Sequence, residues 1–423
     1  MAKFPSSSTV YIVSACAVIA GAISVLAYAP WLDFGSVKYN AGASTTNGVL
    51  NATSSPAEEE STPTTVHVET PEAVRAVYMT TCAAATPSFR HRLTDLIETT
   101  ELNSIIIDIK DYSGGISFPV KDPVLKEAQG VNCFVPDMTE FIEELHEKGI
   151  YVIGRITVFQ DPFYARRNPN VAVQTSAGEV WRDHKGLSFT DPAARQVWDY
   201  TLTLSKESYD IGFDELNYDY IRFPSDGNMK DIAFPVSGER AKDEVIEDFF
   251  AYLHENVNDS EMFPNGSPVT SADLFGMVTT NYDHLGIGQV LERALPYFDY
   301  IAPMVYPSHY PNGFNGWSNP NHYPYDVIKY VMSRGVARTV ATSTNVYFKG
   351  ADRIGTSTPA IYKKEAYDAD KLRPWLQDFD YGGNYGPDEV RGQIQATYDA
   401  GLNSWMLWDP GNYYTREALR PAR

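Results

Sequence analysis

Residues 212–227, GFDELNYDYIRFPSDG, open on apolar side chains, set acids among aromatics, and stop at a proline. Carboxylates are seldom buried unless they are paired or put to use. Asp214, Glu215 and Asp219 therefore need a reason to stand in a stretch that otherwise reads as a buried strand. Alternation supplies one, because successive side chains of a strand point to opposite faces. Leu216 and Tyr218 share one face, and Glu215, Asn217 and Asp219 share the other. Asp214 falls on the apolar face, where it is expected to cap or pair structurally. A strand of this kind belongs in a sheet with one side under helices and the other lining a polar space.

The rest of the chain repeats the pattern. Short apolar runs stand at 75–81 (RAVYMTT), 104–110 (SIIIDIK), 151–159 (YVIGRITVF), 268–276, 300–307, 337–348 and 404–411. Segments of helical period lie between them at 88–100, 137–148, 192–208, 239–256, 289–295, 325–334 and 388–400. Strands alternating with helices imply parallel βαβ units. Eight strands over ~340 residues predict an α/β chain folded as a (β/α)8 TIM-type barrel with enlarged loops. An open doubly wound sheet is the alternative, although no G-x-G-x-x-G or P-loop follows a strand.

In a barrel, one face of every strand points to the centre and the other to the helices. The helix-facing set must be apolar, so the polar set marks the interior. At 104–110, Ile105, Ile107 and Ile109 face outward and send Asp108 and Lys110 inward. At 151–159, Val152, Ile156 and Val158 face outward and send Arg155 and Thr157 inward. Ala272 and Leu274 likewise leave Ser271 and Asp273 on the inside, and the later strands add Met304, Tyr306, Met406 and Trp408. All of these sit late in their strands, and barrel active sites lie at the strands' carboxyl ends. The acids of 212–227 are thus expected to line a mouth.

Asp219 and Asp273, on neighbouring strands, form the pair that glycoside hydrolysis needs. One carboxyl donates a proton to the leaving oxygen, and the other attacks the anomeric carbon or activates water. Neighbouring strands lie about 4.8 Å apart. That suits the spacing of about 5 Å found in retaining enzymes better than the 6.5–9.5 Å of inverting ones. Asp219 is assigned as nucleophile and Asp273 as acid/base, since Ala272, Leu274 and Phe275 surround Asp273 with apolar side chains that raise its pKa. Glu215, about two residues deeper, competes for either role. Asp108, Lys110, Arg155, Glu215, Asn217, Tyr306, His309 and Trp408 are expected to bind and orient the sugar, with Tyr78 near them. The opposing interpretation is a buried ion network that only holds the barrel together, which is costly when it spans five strands. The eight His form no H-x-x-x-H or H-x-H pair, Cys82 and Cys133 lack ligand spacing, and no G-x-S-x-G elbow occurs. Neither a metal nor a cofactor is expected. A non-catalytic carbohydrate-binding barrel is the nearer alternative, and a metal-dependent polysaccharide deacetylase the more distant one.

Composition agrees with a carbohydrate partner. A net charge of −20 argues against a nucleic-acid surface. The 28 tyrosines offer faces for stacking on sugar rings as well as for packing. Residues 10–29 carry no charge and match the thickness of a bilayer. They are read as a membrane anchor within 1–34, with a cleaved signal peptide as the alternative. Residues 35–73, rich in Ser, Thr and Pro, form the expected flexible linker, and 74–423 the barrel. The folded body would then lie outside the cytoplasm, tethered at the membrane or secreted. Cys82 and Cys133 are either bridged or two buried thiols.

Together, VRAVYMTT, SIIIDIKDYSG, GFDELNYDYIRFPSDG, TSADLFG, YIAPMVYPSHY, LRPWLQDF and SWMLWDP resemble a family of glycoside-hydrolase barrels long described as a domain of unknown function. That family is distantly similar to alpha-amylase-type glycosidases, and the resemblance spans nearly all of 74–414. It implies a TIM-type barrel acting on polysaccharide. The alpha-amylase-type pattern puts a nucleophilic Asp at the end of strand 4, on Asp219. Its acid/base at the end of strand 5 is normally Glu, where this chain has Asp273. No NHD-type run ends the expected strand 7, where TSTNVYF stands instead.

Overall fold

The run of isoleucines at Ser104–Lys110 is buried along its whole length, as branched side chains are in a sheet covered on both faces. It is the second of eight barrel strands in a computed structural model that describes residues 66–422. The strands are β1 (Arg75–Met79), β2 (Ser104–Lys110), β3 (Tyr151–Thr157), β4 (Glu215–Asp219), β5 (Val269–Phe275), β6 (Tyr300–Met304), β7 (Trp375–Gln377) and β8 (Trp405–Trp408). They pair in chain order, all parallel, and β8 returns to β1 to close a barrel. One helix in each connection covers the barrel: α1 (Pro87–Glu98), α2 (Met138–Glu147), α3 (Arg195–Asp210), α4 (Lys242–Val257), α5 (Leu291–Ala294), α6 (Pro324–Thr339) and α7 (Pro387–Asp399), with shorter helices at Thr81–Ala84, Pro123–Lys126 and Pro162–Arg167. Among the described residues, only a 3-10 turn, Arg416–Ala418, follows β8.

Two apolar layers result. The outer one joins strands to helices: in α2, Met138, Phe141, Ile142 and Leu145 recur at three- and four-residue spacing and are all buried. It includes Ile105, Ile107, Ile109, Leu216, Tyr218, Ala272 and Leu274. The inner one fills the barrel with Ala76, Ile106, Tyr151, Ile153, Trp375 and Met406. Side-chain parity on β2 as far as Asp108, on β4 and on β5 is therefore as the sequence implies. Gly154 is required on the outer face of β3, because a Cβ there would stand 2.2 Å from Ile109 Cδ1.

The seventh strand is displaced from its expected place at 337–348. Residues 337–339 complete α6, whose buried positions Val327, Ile328, Val331, Met332, Gly335, Arg338 and Thr339 keep helical spacing to its end. Beyond it, Ser343–Thr344 enters a small antiparallel sheet with Arg353–Ile354 and Ile361–Lys363, outside the barrel. Residues 340–374, with this sheet, thus form a long insertion between α6 and β7. The true strand, Trp375–Gln377, is three residues long and buried throughout, too short to show alternation.

Cys82 and Cys133 are bridged, with Cα atoms 5.0 Å apart. Asp214 pairs structurally: its carboxylate accepts from Val68 N at 2.7 Å and Val152 N at 2.8 Å and meets His146 Nε2 at 3.0 Å. Thr70 Oγ1 lies 3.0 Å from Tyr151 Oη, and His67 stacks on Tyr209 at 4.0 Å. Residues 67–70 therefore strap the face where the strands begin, opposite the mouth. The apolar run 10–29 and most of the Ser/Thr/Pro-rich segment lie outside the described residues. Among those described, no helix is long and apolar enough to cross a membrane.

Candidate active site

Register brings the acids together. Arg155 lies beside Asn217 and Thr157 beside Asp219 across β3 and β4, and Asn217 lies beside Ser271 across β4 and β5. Arg155 is the hub. Its Nη1 donates to Asp108 Oδ1 at 2.8 Å, and its Nε to Asp219 Oδ2 at 3.1 Å, with Nη2 on the same oxygen. The same Nε stands 3.7 Å from Asp273 Oδ2. The two Oδ2 atoms can be no farther apart than those two distances combined, about 6.8 Å. That limit admits the roughly 5 Å spacing of direct nucleophilic attack.

Above this floor opens a cavity of about 210 Å³, lined by Arg155, Asp219, Asp273, Tyr306, His309 and Trp408 among others. Its aromatic wall is ordered: Trp408 stacks on Tyr78 at 4.0 Å, and Tyr306 meets His309 at 5.1 Å. Pockets that enclose whole drug-sized ligands measure about 300–1,000 Å³, so this one suits about a single sugar ring. A larger cavity, about 710 Å³, lies under the insertion, but its one lining carboxylate, Glu292, is locked to Arg338.

Residues 76–414 match the family described as "Putative glycosyl hydrolase domain". The chain belongs to this glycosyl hydrolase family. Among solved structures, a hypothetical protein from Ruminiclostridium thermocellum ATCC 27405 is 31% identical, over 47% of this chain and 96% of its own, with a TM-score of 0.41. The glycoside hydrolase domain of PgaB (BpsB) from Bordetella bronchiseptica is 14% identical over 82% of this chain and 99% of its own, with a TM-score of 0.52, and shares the barrel fold. The glycoside hydrolase domain of PelA from Pseudomonas aeruginosa is 10% identical over 81% of this chain and 97% of its own, at 0.42. No curated protein matches the chain.

Within this glycosyl hydrolase the two acids have different settings. Asp273 Oδ1 accepts from Trp375 Nε1 at 2.7 Å and Asn217 Nδ2 at 2.9 Å. Burial, and then the charge of Asp219, nevertheless hold its pKa well above the usual carboxylate range. Asp219 takes both Arg155 nitrogens on Oδ2 and the Tyr220 N–H, at 2.5 Å, on Oδ1. Asp108 is pushed up to about 6 by burial, against the pull of Arg155, and accepts from Tyr78 Oη at 2.5 Å. Burial, helped by Lys185, lowers His309 to about 4, which leaves its ring neutral at physiological pH.

Other expected residues stand farther off. Asp108 and Asn217 support the floor from below. Glu215 is deeper still, paired with Arg373 Nη1 at 2.7 Å and Tyr151 Oη at 3.0 Å. Lys110 leaves the mouth altogether. A register shift between Asp108 and Lys110 breaks the alternation, and its Nζ pairs with Asp161 at 2.7 Å near the Tyr200 ring.

Several residues of the site escape a reading of the sequence alone. Trp375 was hidden by the misplaced strand. Tyr220 follows Asp219 with φ of 52°, a left-handed conformation that is strained for a tyrosine and typical of functional sites. Gln160 and Lys185 come from the loop after β3, and Arg222 from the loop after β4. Tyr220 and Arg222 lie within GFDELNYDYIRFPSDG and Trp375 within LRPWLQDF, but Gln160 and Lys185 lie in no stretch quoted above.

Trp375→Phe tests the acid/base setting. The indole N–H favours the ionised form of Asp273, so its removal is expected to raise that pKa further and move the alkaline limb of the pH–rate profile upward. An unmoved limb would mean that Asp273 does not govern it.

Proposed function

We propose that the protein hydrolyses glycosidic bonds of an extracytoplasmic polysaccharide with retention of configuration. Asp219 attacks the anomeric carbon while Asp273, kept protonated, gives its proton to the departing oxygen. The carbon–oxygen bond to the leaving group breaks, and a glycosyl ester forms on Asp219. Esterification removes the charge of Asp219, one of the two main causes that hold the Asp273 pKa up. Having given up its proton, Asp273 stays ionised and takes a proton from the incoming water, whose oxygen bonds to the anomeric carbon as the ester to Asp219 breaks and the sugar is released. Arg155 receives the Asp219 carboxylate as it leaves. The observation that carries this reading is the pair of carboxylates on one guanidinium, at the floor of an aromatic-walled cavity.

An oxidising compartment fits the Cys82–Cys133 bridge. A tether that arrives at the 67–70 strap would also leave the mouth facing away from its anchor. The direct test is a screen of the purified chain against polysaccharides for released reducing ends. Cleavage of at least one glycan, with newly formed ends of retained anomeric configuration, is expected. Binding without release would leave a carbohydrate-binding barrel.

A further inference from the structure

One sector of the mouth carries donors that the hydrolytic steps leave without acceptors. Arg222 stands three residues beyond Asp219 and lines the same cavity. Its Nη1 is fixed on Phe223 O at 3.0 Å and Ser225 Oγ at 3.2 Å. Its guanidinium carbon lies 5.2 Å from the Tyr220 ring centroid and 5.9 Å from that of Phe275. Among the described residues, no carboxylate comes within the 4.0 Å ion-pair distance of Arg222 or of Lys185. Gln160 is 3% exposed, and its Nε2 has no partner among the described residues. Asp183 and Asp226 line the same cavity: Asp183 Oδ1 accepts from Lys185 N and Leu187 N, both at 2.8 Å, and Asp226 Oδ1 lies 3.6 Å from His184 Nε2.

A chain with a net charge of −20 has acids to spare for neutralising a guanidinium. Leaving one unpaired beside the nucleophile, held by one nitrogen and flanked by two rings, preorganises it for an anion brought by the ligand. A guanidinium fork matches a planar carboxylate in two parallel hydrogen bonds. We propose that the glycan taken at this mouth is acidic, with a uronic-acid carboxylate held by Arg222 and further donors from Lys185 and Gln160. This rests on the hydrolase reading for the fate of the glycan, but not for its recognition.

The test compares binding to uronate oligosaccharides, the same oligosaccharides after carboxyl reduction, and sulfated neutral ones. The full chain carrying Asp273→Asn is used, so that cutting is slow over the binding measurement. Uronates are expected to bind at least about tenfold tighter than their reduced forms, less so as salt rises. Arg222→Gln should collapse that ratio by about tenfold to a hundredfold, and Arg222→Lys should restore part of it. Equal affinity for acidic and reduced glycans would overturn the proposal, as would an Arg222→Gln loss shared equally by both. A preference for sulfate esters would overturn the carboxylate assignment. Arg222-dependent uronate binding without cleavage by the unmodified chain would support the acidic ligand and remove the hydrolase. Cleavage of neutral glycans alone would do the reverse.

Discussion

Asp219→Asn is expected to lower kcat/KM on any cleaved glycan by at least about 10,000-fold, because an amide cannot form the glycosyl ester. Asp273→Asn should lose less, about 100- to 10,000-fold, the usual contribution of a positioned proton donor. The two losses should also differ in kind. Aryl glycosides whose leaving group departs as a stable anion need no proton, so Asp273→Asn should regain much of its first step on them, and Asp219→Asn none. Azide separates them further, since a small anion can replace a missing nucleophile. With Asp219→Asn it should give a glycosyl azide of inverted configuration, and with Asp273→Asn one of retained configuration. Full activity in both variants would return Asp219 and Asp273 to the ion network considered at the outset.

Loss of the hub is expected to be costly in another currency, folding stability. Arg155→Gln leaves Asp108, Asp219 and Asp273 without their shared cation, and stranding buried charge in this way destabilises by about 3–5 kcal/mol. The deficit should depend on pH with a definite sign. Asp108 already sits at about 6 in the folded protein, above its ordinary value. A carboxyl raised on folding binds protons more tightly when folded, so stability falls as pH rises through that window. Arg155 opposes the rise for both Asp108 and Asp273, and without it the window extends upward. Denaturant melts of Arg155→Gln should therefore show a larger deficit at pH 8 than at pH 5. A deficit independent of pH would mean that the guanidinium acts by packing, for instance against Trp408, from whose ring centroid it lies 5.2 Å.

Alternation was enough to read β2, β4 and β5, because each keeps one wholly apolar face against the helices. It places Asp219 and Asp273 on a shared surface from side-chain order alone. It failed where the backbone leaves regular geometry. The register shift on β2 carried Lys110 to Asp161, and no side-chain pattern announces such a shift. The seventh strand is too short for periodicity, while the β-branched run after α6 imitates a strand. The same error hid Trp375, the hydrogen-bond partner of Asp273. The cysteines were undecided because a separation of 51 residues says nothing about distance in space. Tyr220 was beyond reach, since its left-handed backbone serves the Asp219 carboxylate and follows no turn signature.

Peptide mass mapping of protein quenched in acid during turnover bears on the proposed chemistry at its decisive step. The Asp273→Asn form, slowed in releasing the sugar, is incubated with an activated aryl glycoside that it cleaves. A glycosyl ester on Asp219 is predicted. An ester on Glu215, or an unmodified enzyme whose product has inverted configuration, would contradict it.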